Sequence, residues 1–80
     1  MHNNICGQRV RQARLIKKPF LSQNNLAAKM QLDGFGVTSD AISRIELRKR
    51  HVTDLELVAL AKILNVSTAW LLEETDYIQL

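Results

Sequence analysis

Eighty residues, 46% hydrophobic and 24% charged, are enough for one folded domain and exclude both a second domain and a disordered chain. A chain of this length buries only about 60% of its unfolded surface, which argues against a deep cleft of many residues. The formal net charge of +3 hides an asymmetry: residues 1–50 carry ten Lys or Arg against three carboxylates, and residues 51–80 carry one against five. A basic half and an acidic half point to one face that meets a polyanion and another turned away from it.

The first helix is expected to be capped by Asn3 or Asn4 and to run to about Lys18, where Pro19 removes a backbone donor. Cys6, Val10, Ala13 and the stem of Lys17 form its inner stripe. Four further helix starts share one pattern. Ser22, Thr38, Thr53 and Ser67 each follow an apolar residue (Leu21, Val37, Val52, Val66), and each has another at the fourth helical position (Leu26, Ile42, Leu57, Leu71). That is a cap with a hydrophobic staple, and Glu56 completes a capping box with Thr53.

The second helix is placed at residues 23–30, with Leu26, Ala27 and Met30 inward. Residues 31–37 contain Gly34 and Gly36 and are expected to form an ordered loop that buries Leu32 and Phe35. The third helix covers 39–47, with Ile42 and Ile45 inward. The fourth runs from Asp54 to about Leu64 and buries Leu57, Val58, Leu60, Ala61 and Leu64. A short fifth helix near 68–73 is anchored by Trp70 and Leu71. Residues 77–80 are either a frayed tail or a small apolar contact with a partner. The fold class is therefore all-α: a compact five-helix domain spanning 1–80, with its core at about 6–73 and a short C-terminal tail.

With Ile42 and Ile45 inward, Ser39, Asp40, Ser43 and Arg44 fall on or beside the opposite face of the third helix. A helix of this build fits the DNA major groove. There Arg44 can donate twice to a guanine edge, Ser39 can pair with several bases, and Asp40 can accept from a cytosine amino group. Ordinary solvated surface is the competing reading, and Asp40 also offsets the positive end of the helix. At the start of the second helix the free amides, with Gln23 beside them, suit a phosphate. Arg48, Lys49 and Arg50 form a basic run able to follow the backbone, whereas Arg9, Arg11, Lys17 and Lys18 cannot be ranked.

No enzyme site emerges, because the chain lacks a glycine-rich phosphate loop and any hydrolytic triad. His51 reads as a loop residue or a phosphate neighbour. The lone Cys6 excludes an intrachain disulfide, and Cys6, His2 and His51 are too few for a structural zinc site. No catalytic residue, metal or cofactor is expected. No apolar run approaches a membrane span or a signal-peptide core, so no membrane partner and a cytoplasmic location are expected.

Three stretches together carry a specific resemblance: Arg9-Val10-Arg11-Gln12-Ala13-Arg14, Leu21-Ser22-Gln23-Asn24-Asn25-Leu26-Ala27-Ala28-Lys29-Met30, and Ala41-Ile42-Ser43-Arg44-Ile45-Glu46. With Leu60-Ala61-Lys62-Ile63-Leu64-Asn65-Val66-Ser67 and Trp70-Leu71-Leu72, the chain resembles the phage-repressor and Cro family of helix-turn-helix domains over residues 6–73. The resemblance implies five helices, the second and third forming the DNA-binding motif. It implies that Ser39, Asp40, Ser43 and Arg44 face bases, and that Gln23 contacts phosphate and steadies base-reading side chains. Thr38, Arg48, Lys49 and Arg50 are taken as further phosphate contacts. Arg14 and Glu46 match a family pair that forms an internal salt bridge.

The sequence departs from the family pattern in three places. The turn at 31–37 and the junction at 17–20 are longer than usual. Glu46 is followed by Leu47 and no glycine, which allows the third helix to run on into Arg48. The expected function is a sequence-specific regulator of transcription, a repressor acting on a double-stranded DNA operator. A homodimer through helices four and five and the tail is also expected. The alternatives are an antitoxin-type accessory regulator with a protein partner, or an interaction module that kept the fold without specific DNA binding.

Overall fold

A Ser or Thr oxygen opens four helices by accepting an amide that has no carbonyl partner inside the helix. The computed structural model describes residues 2–78. The elements are α1 (Gly7–Ile16), α2 (Gln23–Leu32), α3 (Ser39–Glu46), α4 (Asp54–Leu64) and α5 (Thr68–Leu71), with no strand among the described residues. Ser22, Thr38, Thr53 and Ser67 accept from the amides of Asn25, Ala41, Glu56 and Trp70 respectively. The Thr53–Glu56 capping box is complete. The staple residues Leu21, Leu26, Val37, Ile42, Val66 and Leu71 are buried, and Val52 and Leu57 pack against the core from its edge.

α1 opens differently. Its first helical residue is preceded by Cys6, which makes no side-chain cap, but Asn4 Oδ1 accepts from the Gly7 amide at 2.8 Å. The helix ends at Ile16, two residues before the expected Lys18, and Lys17 is extended at ψ 150°. Cys6, Val10 and Ala13 are buried as expected, and Arg14 joins them. Burial pushes the Cys6 thiol up to about 11, so it remains protonated at neutral pH and acts as a small apolar group.

Four helix C-termini share one device. Gly34, Arg48, Asn65 and Glu73 have φ values of 90°, 61°, 57° and 61°. In each case two backbone bonds close the end in the Schellman pattern. For α2 these are Gly34 N–H to Gln31 O at 3.0 Å and Phe35 N–H to Met30 O at 3.0 Å. For α3 they are Arg48 N–H to Ile45 O and Lys49 N–H to Arg44 O, both 2.9 Å. The third helix therefore does not run on into Arg48; Arg48 takes the left-handed position that glycine usually occupies.

Two burial expectations need correction. α2 continues through Leu32, whose side chain is 86% exposed instead of packed under a loop. One hundred degrees per residue turns Leu32 about 200° from the buried Met30, onto the solvent side. Phe35, released by the Gly34 turn, does pack against the core. In α4, Ala59 is buried and Val58 is exposed, because Ala59 lies on the stripe of Glu56, Leu60 and Leu64.

The core joins all five helices through Val10, Leu26, Met30, Ile42, Ile45, Leu60 and Leu71. Beyond α5, the Ser67 amide donates to Ile78 O at 2.8 Å and Ile78 packs on the core, while Tyr77 is exposed. The rest of the expected tail, residues 79 and 80, lies outside the described residues. No helix among those described is long and apolar enough to cross a membrane.

Candidate nucleic-acid interface

Ile42 and Ile45 are fully buried, which fixes the roll of α3 and turns Asp40 and Arg44 to solvent. Ser39 and Ser43 are half-buried at the margins of that face. Arg44 Nε lies 3.1 Å from Asp40 Oδ2, one helical turn away, in an exposed ion pair with side chains 64% and 73% exposed. This pair uses the inner nitrogen of the guanidinium and leaves the terminal ones available.

A shallow hollow of about 420 Å³ is bounded by Thr38, Asp40, Ala41 and Arg44 on one side and by Lys49, Arg50 and His51 on the other. The chain leaving α3 therefore returns beside the exposed helix face. A second hollow joins Ser39 to Ser22, Gln23 and Asn24 at the start of α2. The amides of Gln23 and Asn24 have no partner within the helix at that end. Thr38 Oγ1 accepts from the Ala41 amide, and its hydroxyl proton is still free to donate.

Arg14 and Glu46 form a bidentate ion pair, Nε–Oε2 at 2.8 Å and Nη2–Oε1 at 2.9 Å, with side chains 9% and 4% exposed. Arg14 Nη1 also donates to Leu21 O at 3.1 Å. Gln23 Nε2 donates to Glu46 Oε1 at 3.1 Å, which ties the start of α2 to the end of α3. One amide hydrogen of Gln23 is left for an external acceptor.

The basic run divides. Lys49 is exposed at the hollow. Arg50 faces inward to Glu56, with Nη1–Oε1 at 3.0 Å and Nη2–Oε2 at 2.9 Å, and Nη1 also reaches His51 O. The Arg50 hydrogen bonds hold the Glu56 carboxyl below its ordinary range, outweighing the cost of burial. Arg48 is half-buried and lines a separate groove beside Asn3, Ile5, Val52 and Asp54. Sequence spacing cannot separate these three directions, because they follow from the left-handed turn at Arg48.

Two roles escaped sequence reasoning. Arg9 lies 4.8 Å from the Trp70 ring centroid and donates to Trp70 O and Thr75 O, so this cation braces α1 against α5. Gly7 sits where a Cβ would collide with Ile45 O, so α1 starts in direct contact with the end of α3. A glycine at a helix start was the only available hint.

The paired α2 and α3, with a polar outer face on α3 and the first amides of α2 beside it, make a helix-turn-helix. The helix-turn-helix family model matches residues 10–71, most of the chain. The chain belongs to this family, of the phage-repressor and Cro type, and is thereby a DNA-binding regulator domain. Comparison with curated proteins and with solved structures returns no match.

Proposed function

We propose that the protein is a sequence-specific transcriptional repressor that lays α3 in the major groove of an operator. The observation that carries this reading is the Asp40–Arg44 face of α3, which shares one hollow with Thr38, Lys49 and His51. Ser39, Asp40, Ser43 and Arg44 read base edges, with Arg44 donating to guanine. Gln23, Thr38 and Lys49 hold the backbone, assisted by the α2 amides. Arg48 and Arg50 act at the margin of the interface, Arg50 chiefly as a brace for the loop through Glu56. Repression follows from occupancy alone, since a bound operator excludes polymerase.

Two copies joined through α4, α5 and the tail would read half-sites about 34–36 Å apart. Exposed Leu55, Val58 and Tyr77 in the acidic half support a second copy there. The test is selection of duplexes from a random library at physiological salt, with wild type and Arg44→Ala in parallel. Wild type should return a repeated motif, and the variant should lose preference at one base pair per half-site. Recovery of no motif, with binding lost as salt rises, would refute specific readout.

A further inference from the structure

We propose that Asn3 and Asn4 are positioning residues of the DNA interface: they hold the backbone of 48–50 so that Lys49 meets phosphate already in place. This rests on the reading above. Three consecutive carbonyls after α3 accept from this pair of residues. The Asn3 amide donates to Arg48 O at 3.0 Å and its Nδ2 donates to Lys49 O at 2.8 Å. Asn4 Nδ2 donates to Arg50 O at 2.8 Å and to Ile45 O at 3.1 Å. Asn4 Oδ1 accepts from the Gly7 amide at 2.8 Å and from Cys6 Sγ at 3.8 Å. One half-buried side chain thus caps α1 and clasps the far side of the recognition helix at once.

The segment these bonds secure would otherwise be costly to order. Residues 48–50 follow the end of α3, and Arg48 is in a left-handed conformation that a side chain disfavours. A loop left free would have to be ordered when DNA arrives, and that cost would weaken binding. The clasp orders it beforehand. It also keeps three carbonyl oxygens, each partly negative, bound to protein donors instead of facing phosphate. Gly7 permits the arrangement, because any larger residue would strike Ile45 O and push the segment away.

The experiment compares wild type, Asn3→Ala and Asn4→Asp on the duplex that wild type selects, across a salt series, with urea unfolding of each protein. Asn4→Asp keeps the acceptor for Gly7 but sets a carboxylate oxygen against two carbonyls. It should lower affinity about tenfold and make the log–log salt slope shallower by about 0.9, the loss of one phosphate contact. The preference at the base read by Arg44 should survive. Asn3→Ala, which removes one exposed bond, should fold and lose affinity about two- to threefold. It decides the matter if Asn4→Asp does not fold. Lower stability with unchanged affinity and slope would overturn the proposal and leave these residues as structural supports. A wild type that selects no motif would overturn the DNA reading and this inference with it, whereas an unaffected variant beside a selective wild type removes only this inference.

Discussion

Replacing Arg14 by Met should be among the most damaging changes available to this domain. The substitution leaves Glu46, 4% exposed, with the neutral Gln23 amide at 3.1 Å as its remaining side-chain donor. Removing one partner of a buried pair costs about 3–5 kcal/mol, since the other charge stays desolvated. A domain of this size is held by about 4–12 kcal/mol, at roughly 0.05–0.15 per residue. The variant should therefore lose a quarter or more of its stability and melt about 12 °C lower, or more. Arg14→Met combined with Glu46→Leu removes both charges and should recover to within about 2 kcal/mol of wild type. What it does not recover is the Leu21 carbonyl, which loses its 3.1 Å donor at a cost of about 1 kcal/mol. Urea unfolding followed by far-ultraviolet circular dichroism measures all four corners of the cycle. A loss under about 1 kcal/mol for Arg14→Met, or a double variant that loses the sum of the singles, would refute the account of a desolvated, coupled pair.

Arg48→Gly should raise stability by about 0.5–1 kcal/mol, because φ 61° strains a side chain and suits glycine; a lower urea midpoint would contradict this. Glu56→Gln should cost about 1 kcal/mol at pH 7 by weakening the Arg50 pair. Because the folded Glu56 titrates below its ordinary 4.5, the pair's contribution is present above that value and is lost as pH falls through the lower one. The gap between wild type and variant should thus narrow at pH 3, and a constant gap would exclude the ion pair as its source. Asp40→Asn should strengthen sequence-blind DNA binding and relax the preference at the base read by Arg44, as measured by library selection. Unchanged selection would separate Asp40 from readout.

Signals confined to a few neighbouring residues were legible in the sequence. Ser22, Thr38, Thr53 and Ser67 announced their helices because a cap and its staple lie within six residues of chain. The resemblance supplied the Arg14–Glu46 pairing, which spans 32 positions and which no local pattern discloses. Leu32 reads as a buried loop residue in the sequence because Gly34 and Gly36 suggest a loop over 31–37, whereas α2 runs on through Leu32 and Gly34 forms the left-handed turn just beyond it. The partners of Arg9 and Arg50 were hidden for another reason. A cation bound to protein and a cation facing phosphate look alike until the fold brings Trp70 or Glu56 beside them.

α2 and α3 are each closed at both ends, by a hydroxyl cap before and a left-handed turn after, so the limits of each helix are set locally. The connection can therefore lengthen at Gly36 without rotating the Asp40–Arg44 face, whose roll is fixed by the buried Ile42 and Ile45. Gly36 in that connection has open space around it, and closing a loop twice as long costs only about 0.6 kcal/mol more. Inserted residues there would bulge into solvent, whereas one residue inserted within α3 would turn Arg44 by about 100° relative to Ile42. The connection between α2 and α3 is thus the place where the fold best absorbs variation, and where a peptide tag could be carried without disturbing α3.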